Sequence, residues 1–330
     1  MAAIQQRSRR GRAAMNRPSP TVAAPGTLTP TIIGCIAVTW LVWGSTYLAI
    51  RYALEGFAPY FLMATRFIVA GAILFAWQLA RGAVMPTRRQ WGNALVAGAL
   101  MLGGGMGGVA YAEQTIPSGV VVAFIAVMPL VLVVFNRVLG LRPQGVELLA
   151  VLVGLGGVLM LTLGPGFHGS PAGLFAMMLG TTGWALGSVL TQRGFALSPG
   201  ATGFATEMLC GGVVLLLISA VRKETWLWHV PTGAWLAWLY LAVFGSLIAF
   251  SAYMLLLAQT SASLATSYAL VNPVVALLLG VTVGGETVSK WEWLSAGVIM
   301  VGVMLLFVGR RHQPSTARDG RGLGEETESA

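Results

Sequence analysis

Polar and charged positions fall in short clusters separated by long runs of apolar side chains. Each run is close to the ~20 mostly apolar residues that cross a bilayer core as one helix. The pattern predicts ten such helices, over 31–54, 59–80, 91–112, 118–139, 144–164, 171–192, 200–221, 232–257, 262–284 and 291–309. Gly164-Pro165-Gly166 and Pro171 cut the long stretch between Leu148 and Gln192. Residues 225–285 hold no Asp, Glu, Lys or Arg, room for two spans around a polar Gln259-Thr260-Ser261 hinge. The fold class is an all-α membrane protein.

Composition excludes the alternative. Only 9% of residues are charged and 56% are hydrophobic, where a soluble chain averages roughly a quarter charged. The formal net charge of +9 would suggest nucleic acid in a soluble domain. Here the basic residues follow topology. With the N-terminus inside, the cytoplasmic side receives Arg7, Arg9, Arg10, Arg12, Arg17, Arg81, Arg88, Arg89, Arg137, Arg142, Arg193, Arg310, Arg311, Arg318 and Arg321. The other side receives Arg51, Arg222, Lys223 and Lys290, and Arg66 stays within a span. That imbalance fits the positive-inside rule and places both termini in the cytoplasm. Residues 1–30 and 310–330 read as disordered tails, the first facing anionic lipid headgroups rather than nucleic acid. Cys35 and Cys210 lie in apolar runs and read as small hydrophobes.

The chain repeats itself at an offset of about 141 to 145 residues. Trp43-Gly44-Ser45 matches Trp184 with Gly187-Ser188, and Ala64-Thr65-Arg66 matches Ala205-Thr206-Glu207. Gln114 and Pro129 match Gln259 and Pro273, and Glu147 with Gly157 matches Glu292 with Gly302. Two domains follow, 31–164 and 171–309. Five spans per half is odd, so the halves are expected to be inverted. Inverted repeats mark secondary transporters, whose substrate sits near the midplane between the halves.

Trp43-Gly44-Ser45-Thr46-Tyr47, Arg66-Phe67, Glu113-Gln114 with Pro117-Ser118-Gly119, Trp184 to Ser188, Ala265 to Tyr268 running into Val271-Asn272-Pro273, and Gly284-Gly285-Glu286 resemble the EamA family of the drug/metabolite transporter superfamily. The resemblance covers about residues 31–309. It implies the drug/metabolite transporter fold of ten helices in two inverted five-helix repeats, and export of small metabolites or amino acids across a bacterial inner membrane. Such motifs mark the scaffold better than the substrate.

An ionisable side chain inside a span is a functional candidate. Arg66 and Glu207 occupy matching positions with opposite charge; they read as partners, as two poles of one cavity, or as a structural lock. Glu207 is the candidate for proton coupling. Pro129 and Pro273, each expected in mid-helix, are candidate hinges, or fixed kinks, and Asn272 is placed to bond a freed carbonyl or a ligand. Trp43, Ser45, Thr46, Tyr47, Gln114, Trp184, Ser188, Tyr253, Ser267 and Tyr268 complete the candidate cavity. Glu113 and Gln114 read as the outer end of the third span, and Glu286, Lys290 and Glu292 as solvated. Gly103 to Gly108 formally satisfies G-x-G-x-x-G, but within a span it reads as close helix packing. No motif for ATP, metal or nucleophilic catalysis is present, so no cofactor, metal or enzymatic activity is expected. A nucleotide-sugar or phosphate-ester substrate would want several cationic side chains in the cavity, and the spans hold one arginine. A neutral, zwitterionic or weakly cationic solute fits better.

Overall fold

A computed structural model describes residues 29–138, 145–164, 169–192, 194–225, 229–260, 264 and 267–311. Residues 1–28 and 312–330 of the expected tails, and the linker residues Arg142 and Arg193 used to orient the chain, lie outside the described residues, while Pro30 and Arg310–Arg311 belong to helices. Among the described residues every regular element is helical.

Helix α1 (Pro30–Ala53) opens with Pro30 in its first turn and Thr29 as cap, whose Oγ1 accepts from Ile32 N at 3.3 Å. The fixed φ of proline and the hydroxyl cap both suit a helix start. In α2 (Pro59–Ala80) the first-turn amides of Tyr60 and Phe61 donate to the Glu224 carboxylate at 3.1 and 2.9 Å. Helix α3 runs over Arg88–Ala112, starts in a Thr87–Gln90 capping box and widens into a π-helical stretch at Ala99–Met106. Helix α4 comes in two pieces, Ser118–Ile125 and Met128–Val138. Pro129 is therefore not mid-helix: it stands in the first turn of the second piece, where a residue without an N–H leaves the Ile125 carbonyl without its i+4 amide.

There follow α5 (Gly145–Leu163), α6 (Pro171–Gln192) and α7 (Ala201–Val221). Helix α8 joins Thr232–Tyr240, a second π-helical stretch at Leu241–Ile248, and Ala249–Gln259. Helix α9 (Tyr268–Thr282) carries Pro273 inside it, and α10 (Lys290–Arg311) starts in a Ser289–Glu292 capping box. Eight helices among the described residues are long and apolar enough to cross a membrane. The ninth expected span, 262–284, narrows to the shorter Tyr268–Thr282, part of its start lying outside the described residues.

The halves interlock. Helix α1 packs on α8 and α9, and correspondingly α6 packs on α3 and α4. Helices α2 and α7 pair, as do α5 and α10, and α4 meets α9. Exchanging the halves leaves this set of partners unchanged. Glycines allow the closest approaches: a methyl on Gly302 of α10 would lie 2.7 Å from the Gly154 amide of α5, and one on Gly108 of α3 2.6 Å from the Ala176 carbonyl of α6. Packing through small residues is how helices associate where lipid supplies no hydrophobic drive. The outward face of α5 shows Leu148, Leu149, Leu152, Leu155 and Leu159, as a lipid-facing surface requires.

Candidate functional site

Most of the polar and aromatic candidates meet where α1 and α2 of the first half cross α8 and α9 of the second. Trp43 Nε1 donates to the Gly245 carbonyl at 3.1 Å, inside the π-helical stretch of α8. The Trp43 ring stands 5.2 Å from Tyr253 and 4.7 Å from Tyr268, and those two tyrosines are 5.7 Å apart. The three rings form one aromatic cluster. Two residues along α1, Ser45 Oγ and Tyr240 OH are hydrogen-bonded at 2.7 Å. Thr46 is buried and donates back to the Trp43 carbonyl. Asn272 is also buried. With its amide nitrogen turned toward them, it donates to the carbonyls of Tyr268 and Trp40 at 3.1 Å each. Asn272 thus ties α9 to α1 rather than bonding Ala269, the carbonyl that Pro273 leaves without its i+4 amide. Trp40 Nε1 adds a 3.0 Å bond to Ser267.

Arg66 sits on the α2 side of this crossing and is 4% exposed. Its Nε donates to Ser246 Oγ at 2.9 Å, one amine faces the Met63 sulfur at 3.8 Å, and the guanidinium lies 4.9 Å from the Phe67 ring centre. Tyr47 lies within electrostatic reach of Arg66 on one side and of Glu113 on the other.

Glu207 is 4% exposed as well, but it is not the ion-pair partner of Arg66; no ion pair reaches either among the described residues. Helix geometry gives the reason. Helices α2 and α7 touch along Ala64, Ile68 and Gly71 against Ala205, Leu209 and Gly212. Arg66 lies two residues from that stripe and Glu207 likewise, which turns both side chains to the far sides of their helices.

The remaining candidates belong elsewhere. Trp184 of α6 sits on Gly105 of the α3 π-helical stretch, and Ser188 bonds the Trp184 carbonyl one turn back at 2.8 Å. They form the counterpart of Trp43 and Ser45 in the other half, not part of the aromatic cluster. Gln114 is exposed at the end of α3, bonding the Tyr111 carbonyl at 3.1 Å.

A second cluster lies at the end of the bundle that carries Arg51, and sequence reasoning read its acids as helix ends or solvated groups. Glu286 is buried, as are Glu292 and Glu113. Glu286 Oε1 accepts from the Ser118 amide at 3.0 Å and hydroxyl at 2.8 Å, and Oε2 accepts from the Gly119 amide at 3.3 Å. Arg51 Nε stands 3.5 Å from the same carboxylate. A segment after α9 thereby caps α4 at its positive end. Glu113, just beyond α3, is 1% exposed and neither of its oxygens has a hydrogen-bond partner. Burial first, and then the Glu286 carboxylate, hold its carboxyl well above the ordinary range, against the pull of Arg51.

Interlocked helical halves with a buried polar crossing define a multi-pass membrane transporter. The protein-family model of the EamA-like transporter family matches residues 30–163 and again 171–308, and the chain belongs to that family. It is 41% identical over 280 residues to the uncharacterized inner membrane transporter YedA of Escherichia coli K12, covering 84% of this chain and 91% of that protein. Protein PecM of Dickeya dadantii is 30% identical over 272 residues, covering 81% and 86%. A crystal structure of a protein 24% identical in sequence superposes with a TM-score of 0.60, covering 86% of this chain and 99% of that one, which supports the fold. The chain is a multi-pass protein of the bacterial inner membrane.

Proposed function

We propose that the chain is a secondary active transporter, not an enzyme, that exports small organic solutes by alternating access. In this reading ten helices form two inverted repeats, 31–164 and 171–309, with both termini in the cytoplasm, and the repeats rock about the crossing of α1, α2, α8 and α9. The observation that carries it is Arg66, a buried cation free of any carboxylate among the described residues, at a crossing where helices of both halves meet around hydrogen-bonding and aromatic groups.

A guanidinium so placed suits a substrate carboxylate, and the Trp43, Tyr253 and Tyr268 rings suit an apolar or ammonium-bearing remainder. The substrate class is therefore a zwitterion such as an amino acid, or a small amphipathic metabolite. Ser45, Thr46, Tyr47 and Asn272 line the same crossing; Trp184, Ser188 and Glu207 belong to the pseudo-equivalent crossing, and Gln114 to the mouth. Pro273 serves as a hinge in α9, and Pro129 at the break in α4. A phosphate-ester exchanger is the weaker reading, because one arginine does not match several phosphate charges.

The test is uptake of a labelled amino-acid and metabolite panel by liposomes carrying the purified protein. Saturable uptake that Arg66→Ala abolishes supports the reading. Absence of flux for every solute, drugs included, removes it.

A further inference from the structure

Glu113 is not used by the crossing described above, yet both its carboxyl oxygens are fully buried without a hydrogen-bond partner among the described residues. An ionised carboxylate at 1% exposure with no donor would carry the full cost of an unpaired buried charge. The neutral acid avoids that cost, but its O–H also has no acceptor. Neither form is at rest here, which is the condition of a group built to change its charge rather than to hold the fold.

Its surroundings supply the reason and the route. Arg51 and Tyr47 of α1 and Glu286 of the α9–α10 connection lie within electrostatic reach of it, and at the start of α4 Ser118 and Gly119, which do not titrate, bond Glu286. Glu286 accepts from two backbone amides and a hydroxyl and stands 3.5 Å from Arg51, and its carboxylate opposes a negative charge on Glu113. Arg51 is 44% exposed at its side chain, so water stands one residue from the buried acid. Tyr47, partly buried beside the crossing, lies within electrostatic reach of both Glu113 and Arg66.

We propose that Glu113 is the proton-binding site of the transport cycle. The proton sits on Glu113 while the mouth is closed; when the mouth opens, water takes it from the carboxyl oxygen and Arg51 balances the two carboxylates. The proposal rests on the transporter reading and replaces Glu207 as the coupling group.

Two measurements test it on the full chain in liposomes. The first needs no substrate: infrared difference spectra between about pH 5 and pH 9 are expected to show a buried carboxylic-acid C=O band that titrates, is absent in Glu113→Gln and Glu113→Met, and persists in Glu207→Gln. A wild-type spectrum without a titrating band, or one that survives in both Glu113 variants and is lost in Glu207→Gln, overturns the assignment. The second follows whichever solute the wild type carries. One pH unit sustains up to about tenfold accumulation for one proton per solute, and Glu113→Gln is expected to reduce this to onefold while leaving solute equilibration intact. Unchanged accumulation in that variant removes Glu113 and leaves the transporter reading standing. Wild-type liposomes without flux sink the transporter reading instead, and the infrared band then still decides where the proton sits.

Discussion

Arg66 donates from Nε to Ser246 at 2.9 Å, and Ser246 passes the bond to the Leu241 carbonyl, five residues back, at 3.1 Å. The five-residue reach is that of a π-helical turn, so the widened segment of α8 is what seats the guanidinium. The arginine is thus fixed across the boundary between the halves, to α8 and not to the helix α2 pairs with.

Removing the seat exposes its worth. Ser246→Ala leaves Nε without its acceptor in a buried site and is expected to destabilise the protein by roughly 1–3 kcal/mol, read as a lowered midpoint of denaturant unfolding in detergent. Transport should weaken less than in Arg66→Lys, which keeps the charge but loses the fork.

A double-mutant cycle separates pairing from mere correspondence. Because Arg66 and Glu207 turn away from each other, the effects of Arg66→Ala and Glu207→Ala on stability should add to within about 0.5 kcal/mol. Rescue of the arginine variant by the second mutation would contradict the geometry.

At the mouth, the carboxylate and its cation differ in weight. Glu286→Ala strips the acceptor from two backbone amides and a hydroxyl at the start of α4, at an expected cost of about 2–3 kcal/mol. Arg51→Ala breaks a half-exposed ion pair and should cost under about 1 kcal/mol. Equal losses in unfolding experiments would mean that the ion pair, not the cap, holds Glu286.

Stability should also depend on pH through Glu113. A carboxyl held above its unfolded value binds its proton more tightly when folded, so its contribution is fully present below the unfolded range and is lost as pH rises through the folded value. Wild type is expected to lose stability as pH rises above the ordinary carboxyl range, and Glu113→Gln to show a flatter profile.

Glycine packing gives a matched control. Gly302→Val drives a side chain into the Gly154 backbone, whereas a methyl at Gly297 meets nothing within 4 Å. The first is expected to cost at least 1–3 kcal/mol or to prevent folding, and Gly297→Ala to be near neutral, both judged by yield and monodispersity in detergent.

The helices were legible because lipid demands long uncharged runs, and the pairing of halves because Trp43 and Trp184, or Gly157 and Gly302, recur at a steady offset. Tyr253 and Tyr268 meet Trp43 only because α8 and α9 fold onto α1, which no local pattern states. The pairing of Arg66 with Glu207 failed because matching positions in duplicated halves are related by a rotation, which does not oblige them to touch. Glu113 and Glu286 looked like solvated helix ends since nothing in the order of residues says that a later segment covers α4. A local signal was present all the same: Gly285 adopts φ +61, the left-handed turn that glycine permits, and it delivers Glu286 onto Ser118 and Gly119.

The two π-helical stretches, Ala99–Met106 and Leu241–Ile248, are each eight residues long and sit at the same place in their halves. Such widened turns are rare and arise from the insertion of a single residue into an α-helix. Two independent insertions at one corresponding position are less economical than one. The two halves thus share one widened turn and put it to different uses: Leu241–Ile248 carries Ser246 and seats an arginine, while Ala99–Met106 carries Gly103, Gly104 and Gly105 and receives an indole.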